Sequence, residues 1–225
     1  MIELADVTAV REGRTVLAEV SVSLPQRSIA VIGANGSGKS TFARLLNGLV
    51  AASAGTVRVD GLDPAVDGRA LRARVGMIFS NPVAQLIMPT VREDLGFTLR
   101  GRRLKKPEIE ARSARALERV GMLDHLEHSV YQLSGGQQQL VALASVLVAE
   151  PSVILADEPT ALLDLGNARQ IERILLEESG AQVVLVTHDL ELASRCEHAL
   201  CFRGGRLADQ GAPADVIERY RRSYA

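Results

Sequence analysis

The stretch Ser28-Ile29-Ala30-Val31-Ile32-Gly33-Ala34-Asn35-Gly36-Ser37-Gly38-Lys39-Ser40-Thr41 decides the fold. An unbroken apolar run enters a glycine-rich loop, and helical spacing follows over residues 41–49, giving strand, loop and helix in succession. Residues 33–40 satisfy G-x-x-x-x-G-K-[ST] at every fixed position, in the strand-to-helix context the motif requires. Glycines let successive backbone N–H groups point at one anion, and the helix N-terminus adds positive potential. Lys39 brings a point charge suited to β- and γ-phosphates, and the Ser40 hydroxyl is a magnesium ligand of the right kind. The loop implies binding of a nucleoside triphosphate.

On either side of this stretch short apolar runs alternate with helical patterns, which predicts an α/β fold. Residues 56–60 alternate and end at Gly61, as in a half-exposed antiparallel strand, and residues 75–79 read as another strand. The runs 153–156 and 183–186 have the β-branched character of buried parallel strands, and residues 200–208 read as a hairpin turned by Gly204-Gly205. The helical middle, about 82–150, reads as a subdomain inserted into one domain spanning 1–225. The 225 residues are 47% hydrophobic and 24% charged, which excludes a disordered or fibrous chain. A net charge of −1 supplies no basic field for nucleic acid, and 3% aromatics with no Trp leaves no stacking platform for single strands. No signal peptide is visible. The apolar run 140–149 is about 15 Å long as a helix, half of what a bilayer core demands. Cys196 and Cys201 are read as reduced thiols.

Two further constellations carry chemistry. Val153-Ile154-Leu155-Ala156-Asp157-Glu158 is an apolar strand ending in two acids. Adjacent strand residues face opposite sides, so the carboxylates are expected to divide the work. Asp157 suits magnesium, and Glu158 suits the attacking water. His188 ends another apolar strand, where an open α/β sheet gathers its ligands. Ser134 and Gln137 in Leu133-Ser134-Gly135-Gly136-Gln137 fit a capping box opening a helix over 137–149. That helix start is a second anion site, one more than a single nucleotide in a single chain needs.

These motifs, in this order, resemble the ATP-binding-cassette ATPases over almost the full length. The resemblance implies a RecA-like P-loop NTPase core with a mixed sheet, an antiparallel β subdomain and an inserted helical subdomain. It implies ATP and Mg²⁺ as cofactors, held by Gly33, Asn35, Gly36, Ser37, Gly38, Lys39, Ser40 and Thr41, with Ser40 and Asp157 on the metal and Glu158 and His188 catalytic. It also implies head-to-tail pairing with a second copy or a sister ATPase, so that Ser134, Gly135, Gly136 and Gln137 close on the partner's ATP. Thr160-Ala161-Leu162-Leu163-Asp164 matches the family's D-loop at that interface. Two departures stand out. No aromatic occupies the adenine-stacking region, where Arg11 stands with Val10 as the alternative, and a guanidinium can stack on a base. Ser80 replaces the usual glutamine after Phe79, which is expected to slow turnover.

The segment Asn81-Pro82-Val83-Ala84-Gln85, followed by Thr90-Val91 and Glu93-Asp94, looks like the energy-coupling-factor (ECF) transporter ATPases, although the acid that often precedes their glutamine is Val83 or Ala84 here. That branch implies a membrane-peripheral subunit on the cytoplasmic face, docked on a transmembrane coupling subunit and a membrane substrate-binding subunit. It imports a vitamin or a transition-metal ion; biotin is put first, with cobalt or nickel beside it. The Gln85 amide, able to donate and accept, is expected to contact the coupling subunit. A soluble cassette protein of DNA repair or translation would carry coiled-coil insertions, tandem cassettes or basic surfaces. A small-molecule kinase would lack residues 133–137.

Overall fold

The computed structural model describes every residue except Gly101, Arg103, Leu162 and Ala225. In chain order it runs β1 (Ile2–Arg11), β2 (Arg14–Leu24), β3 (Ser28–Gly33), α1 (Lys39–Leu46), β4 (Ala54–Val59), α2 (Gly68–Arg74), β5 (Val75–Ile78), α3 (Val91–Thr98), α4 (Lys106–Arg119), α5 (Gly135–Leu147), β6 (Val153–Asp157), α6 (Leu165–Arg173), β7 (Gln182–Val186), α7 (Leu190–Ser194), β8 (His198–Arg203), β9 (Arg206–Gly211) and α8 (Pro213–Arg222). Two compact units result. One comprises Met1–Val75, Ser152–Glu158 and Ala181–Ala225; the other comprises Gly76–Pro151 and Pro159–Gly180.

The first unit holds two sheets. An antiparallel sheet of order β2-β1-β4 contains the strand expected at 56–60. Its β1–β2 hairpin, absent from the sequence expectations, turns at Glu12-Gly13, both at positive φ (50° and 74°), as a two-residue primed turn needs. A Glu in that turn and register shifts along β1 broke the alternation a strand reading looks for. In the second sheet β6, β7, β3 and β8 are parallel neighbours and β9 closes antiparallel on β8. Their continuous apolar runs are buried along their length, as strands covered on both faces must be. Helix α1 packs on β6 and β7, which puts the phosphate loop over their C-terminal ends. Cys196 and Cys201 are free and buried, and burial pushes the Cys196 thiol up to about 12.

The second unit is mainly helical, with α3 and α4 against α5. Helix α5 starts at Gly135 and ends at Leu147, two residues earlier at each end than the periodicity suggested. The acids expected as a pair divide. Glu93 completes a capping box with Thr90, while Asp94, 4% exposed, accepts from Ile87 N–H (3.0 Å), Met88 N–H (3.2 Å) and the Ser145 hydroxyl (2.8 Å).

Candidate functional site

The site in the first unit is built on backbone first. Gly33 lies at φ 143°, and a Cβ there would meet the Phe202 carbonyl oxygen at 2.2 Å, so only glycine lets β3 leave the sheet here. The loop is braced from outside, with Gly205 N–H donating to Ser37 O at 3.0 Å. Gly38 caps α1 with no side-chain acceptor, which leaves the first-turn N–H groups directed at the space in front of the loop. Val16, Asn35, Gly36, Ser37, Gly38, Lys39, Ser40, Thr41 and Glu158 line a cavity of about 330 Å³. The Ser37 Oγ is buried without a hydrogen-bond partner.

Lys39, 7% exposed, donates through Nζ to Gly33 O (2.7 Å) and Ala34 O (3.0 Å). Burial lowers its ammonium from the usual lysine value, against the opposing fields of Glu158 and Asp157. The Ser40 hydroxyl donates to Asp157 Oδ1 at 2.9 Å, and Asp157 is 5% exposed. A hydroxyl and a carboxylate side by side are the hard-oxygen donors that Mg²⁺ takes together with substrate phosphates, so the residues fit the ion.

Glu158 requires a correction to its expected orientation. It is not the next residue of a strand: β6 ends at Asp157, and Glu158 adopts a left-handed turn at φ 53° with its N–H on Val186 O (2.9 Å). Its direction comes from that turn and not from strand alternation. A non-glycine residue there costs about 1–2 kcal/mol. The turn brings Glu158 Oε2 to 2.8 Å from His188 Nδ1, with the Glu158 side chain 22% exposed and that of His188 72%. His188 itself sits between β7 and an Asp189 cap on α7.

Arg11 is not brought to this cavity: it lies exposed at the β1 end of the hairpin, and Val16 is the N-terminal residue among the lining side chains. Sequence reading missed Val16 because its place follows from the hairpin.

In the second unit Ser134 and Gln137 form the expected capping box. Gly136 is close-packed, since a Cβ would meet Asn167 Nδ2 at 2.6 Å, and Asn167 in turn holds Asp164 of the D-loop stretch at 2.7 Å. Leu162 of that stretch lies outside the described residues. Ser80 is exposed, and the preceding Phe79 is clamped. Its N–H donates to Gln85 Oε1 (3.1 Å) and its carbonyl accepts from Gln139 Nε2 (3.3 Å), while Gln85 Nε2 donates to Ala142 O (3.0 Å). The Gln85 amide, expected to be offered to a partner, is thus spent at both ends on tying its own segment to α5. Gln139 and Asn167 carried no sequence signal that separates them from neighbouring polar residues.

The family described as ABC transporter matches residues 17–161. A putative ABC transporter ATP-binding protein of Deinococcus radiodurans is 44% identical over 221 residues, covering 98% of this chain and 97% of that protein. The biotin transport ATP-binding protein BioM of Rhizobium etli is 44% identical over 210 residues, covering 92% of each chain. Among solved structures, cbiO1 of Clostridium perfringens, described as part of the ABC transporter complex cbiONQ, is similar with a TM-score of 0.87. It is 30% identical, with coverage of 98% of this chain and 92% of that one.

Proposed function

This chain belongs to the ABC transporter ATPases, and on that premise we propose that it is the ATP-hydrolysing subunit of an ECF-type importer whose solute is biotin. The observation that carries the ATPase half is the convergence of Lys39, Ser40, Asp157, Glu158 and His188 on one phosphate loop in the first unit. For biotin the support is the likeness to BioM, with cobalt or nickel as the alternative because cbiO1 is also similar.

In the proposed mechanism Lys39 exchanges its loop carbonyls for the β- and γ-phosphates, and the N–H groups of Gly36 to Thr41 take the remaining phosphate oxygens. Ser40 and Asp157 hold Mg²⁺, which when bound neutralises charge on the phosphate oxygens. Glu158 takes the proton of a water whose oxygen bonds to the γ-phosphorus as the bond to the bridging oxygen breaks and ADP leaves. His188 donates from Nδ1 to the Glu158 carboxylate and holds it in place. The N-terminus of α5, with Ser134, Gly135 and Gly136, closes on ATP held by a second copy or a sister ATPase. Among the described residues no helix is long and apolar enough to cross a membrane. We assign the solute path to a transmembrane coupling subunit and a substrate-binding membrane subunit, with this chain peripheral on the cytoplasmic face. Both units act as one ATPase domain in this reading.

Lys39→Ala should weaken nucleotide binding by about 10–100-fold, as lost charge-assisted bonds are each worth about 1.5–3 kcal/mol. Unchanged affinity in a calorimetric titration contradicts the loop's role. For the solute, cells expressing the assembled transporter should accumulate labelled biotin only with intact Lys39. Accumulation of cobalt or nickel in place of biotin transfers the assignment to metal uptake.

A further inference from the structure

The cap that opens α5 depends on a residue outside the motif. Gln137 Oε1 accepts from Ser134 N–H at 2.9 Å, and Gln137 N–H donates to Ser134 Oγ at 3.3 Å. With its oxygen so committed, the Gln137 amide presents its NH₂ to His125 Nε2, 3.1 Å away. An NH₂ group can only donate, so His125 Nε2 must carry the lone pair and Nδ1 the proton. Nδ1 is buried and has no hydrogen-bond partner, and the His128 ring stands edge-on to His125 with centroids 5.0 Å apart. The other tautomer sets N–H against NH₂. Turning the amide over relieves that clash but sets NH₂ against Ser134 N–H and breaks the reciprocal cap. Tautomer, amide orientation and cap are therefore one linked choice.

The consequence reaches Ser134. Because Gln137 N–H donates into its oxygen, the Ser134 hydroxyl proton is the one left to donate outward, beside the N–H groups of Gly135 and Gly136 at the helix start. Gln137 itself is committed through Oε1 to Ser134 N–H and through one N–H of its NH₂ to His125. We propose that His125 is a positioning residue for ATP hydrolysis: its Nε2 lone pair locks the Gln137 amide, which in turn aims the Ser134 hydroxyl and the α5 N-terminus. The proposal rests on the reading above that this helix start closes on ATP.

The contact is tested by imidazole nitrogen NMR on the full-length, histidine-labelled protein without nucleotide. The expected state of His125 is the Nδ1–H tautomer with an unprotonated Nε2; an Nε2–H resonance overturns the proposal alone. The consequence is tested by steady-state kinetics. His125→Leu, which has no acceptor, should lower kcat about tenfold, the scale of one lost hydrogen bond in a partly buried site, with ATP affinity of the phosphate loop unchanged. His125→Gln, which returns an acceptor oxygen at similar reach, should recover most of that loss. Wild-type kcat in His125→Leu, or a fall in His125→Gln as deep as in His125→Leu, overturns the proposal. Ser134→Ala serves as the separate control. If it hydrolyses ATP at the wild-type rate, the helix start is not the ATP contact, and the functional half of the proposal falls with that reading, whatever the tautomer.

Discussion

Glu158→Gln is expected to lower ATP hydrolysis by about 10²–10⁴-fold, the range a positioned general base contributes. Glutamine keeps the length and shape of the side chain and can still sit opposite His188 Nδ1, now 2.8 Å from Glu158 Oε2, but it has no basic oxygen for the water's proton. The left-handed backbone at φ 53° is tolerated equally by both residues, so the fold is not the cause of the loss. ATP binding should persist, because Lys39, Ser40 and the loop amides are untouched. With hydrolysis blocked, the variant should elute as a dimer when ATP is present and as a monomer without it. Near wild-type hydrolysis removes Glu158 from the mechanism, and an ATP-loaded monomer removes the pairing.

Asp94→Ala should cost about 3 kcal/mol of stability, which for a chain of this length corresponds to about 6–12 °C in melting temperature. Three donors converge on this buried carboxylate, from Ile87, Met88 and Ser145, and each buried donor left without an acceptor costs about 1–3 kcal/mol. Some of the freed backbone groups can reach water, which holds the sum near the lower end. Asp94→Asn keeps an oxygen for the two backbone N–H groups and should lose less than half as much. Thermal melts of the three proteins decide it: an unchanged transition in Asp94→Ala means that water satisfies the segment as well as the carboxylate does. The effect matters for function because the same segment carries Gln85 and Phe79, and so the backbone that presents Ser80.

Some of the site is legible in the sequence because its chemistry is local. A phosphate loop is a backbone device: glycine at fixed positions, then lysine and serine at a helix start, and no distant residue is needed to recognise it. The Ser134–Gln137 cap is equally local, three residues apart and reciprocal. The apolar runs that became β3, β6 and β7 declared themselves because strands buried on both faces have no polar face to confuse the pattern. Alternation misled at Glu158, where one left-handed residue replaces the strand rule. It also failed along β1, where register shifts interrupt the period.

By itself, then, the sequence determined the nucleotide loop, the buried strands, the helix cap and the family, since each is written in patterns of residues a few positions apart. Tertiary structure alone decided that Glu158 meets His188 thirty residues away and that Val16 rather than Arg11 lines the loop. It also turned Gln85 inward, buried Asp94 and set His125 against Gln137. The physical reason is the same in each case. A hydrogen bond between distant residues is specified by where packing of the apolar core carries their backbones. A polar side chain looks the same in sequence whether it ends at a partner or in water.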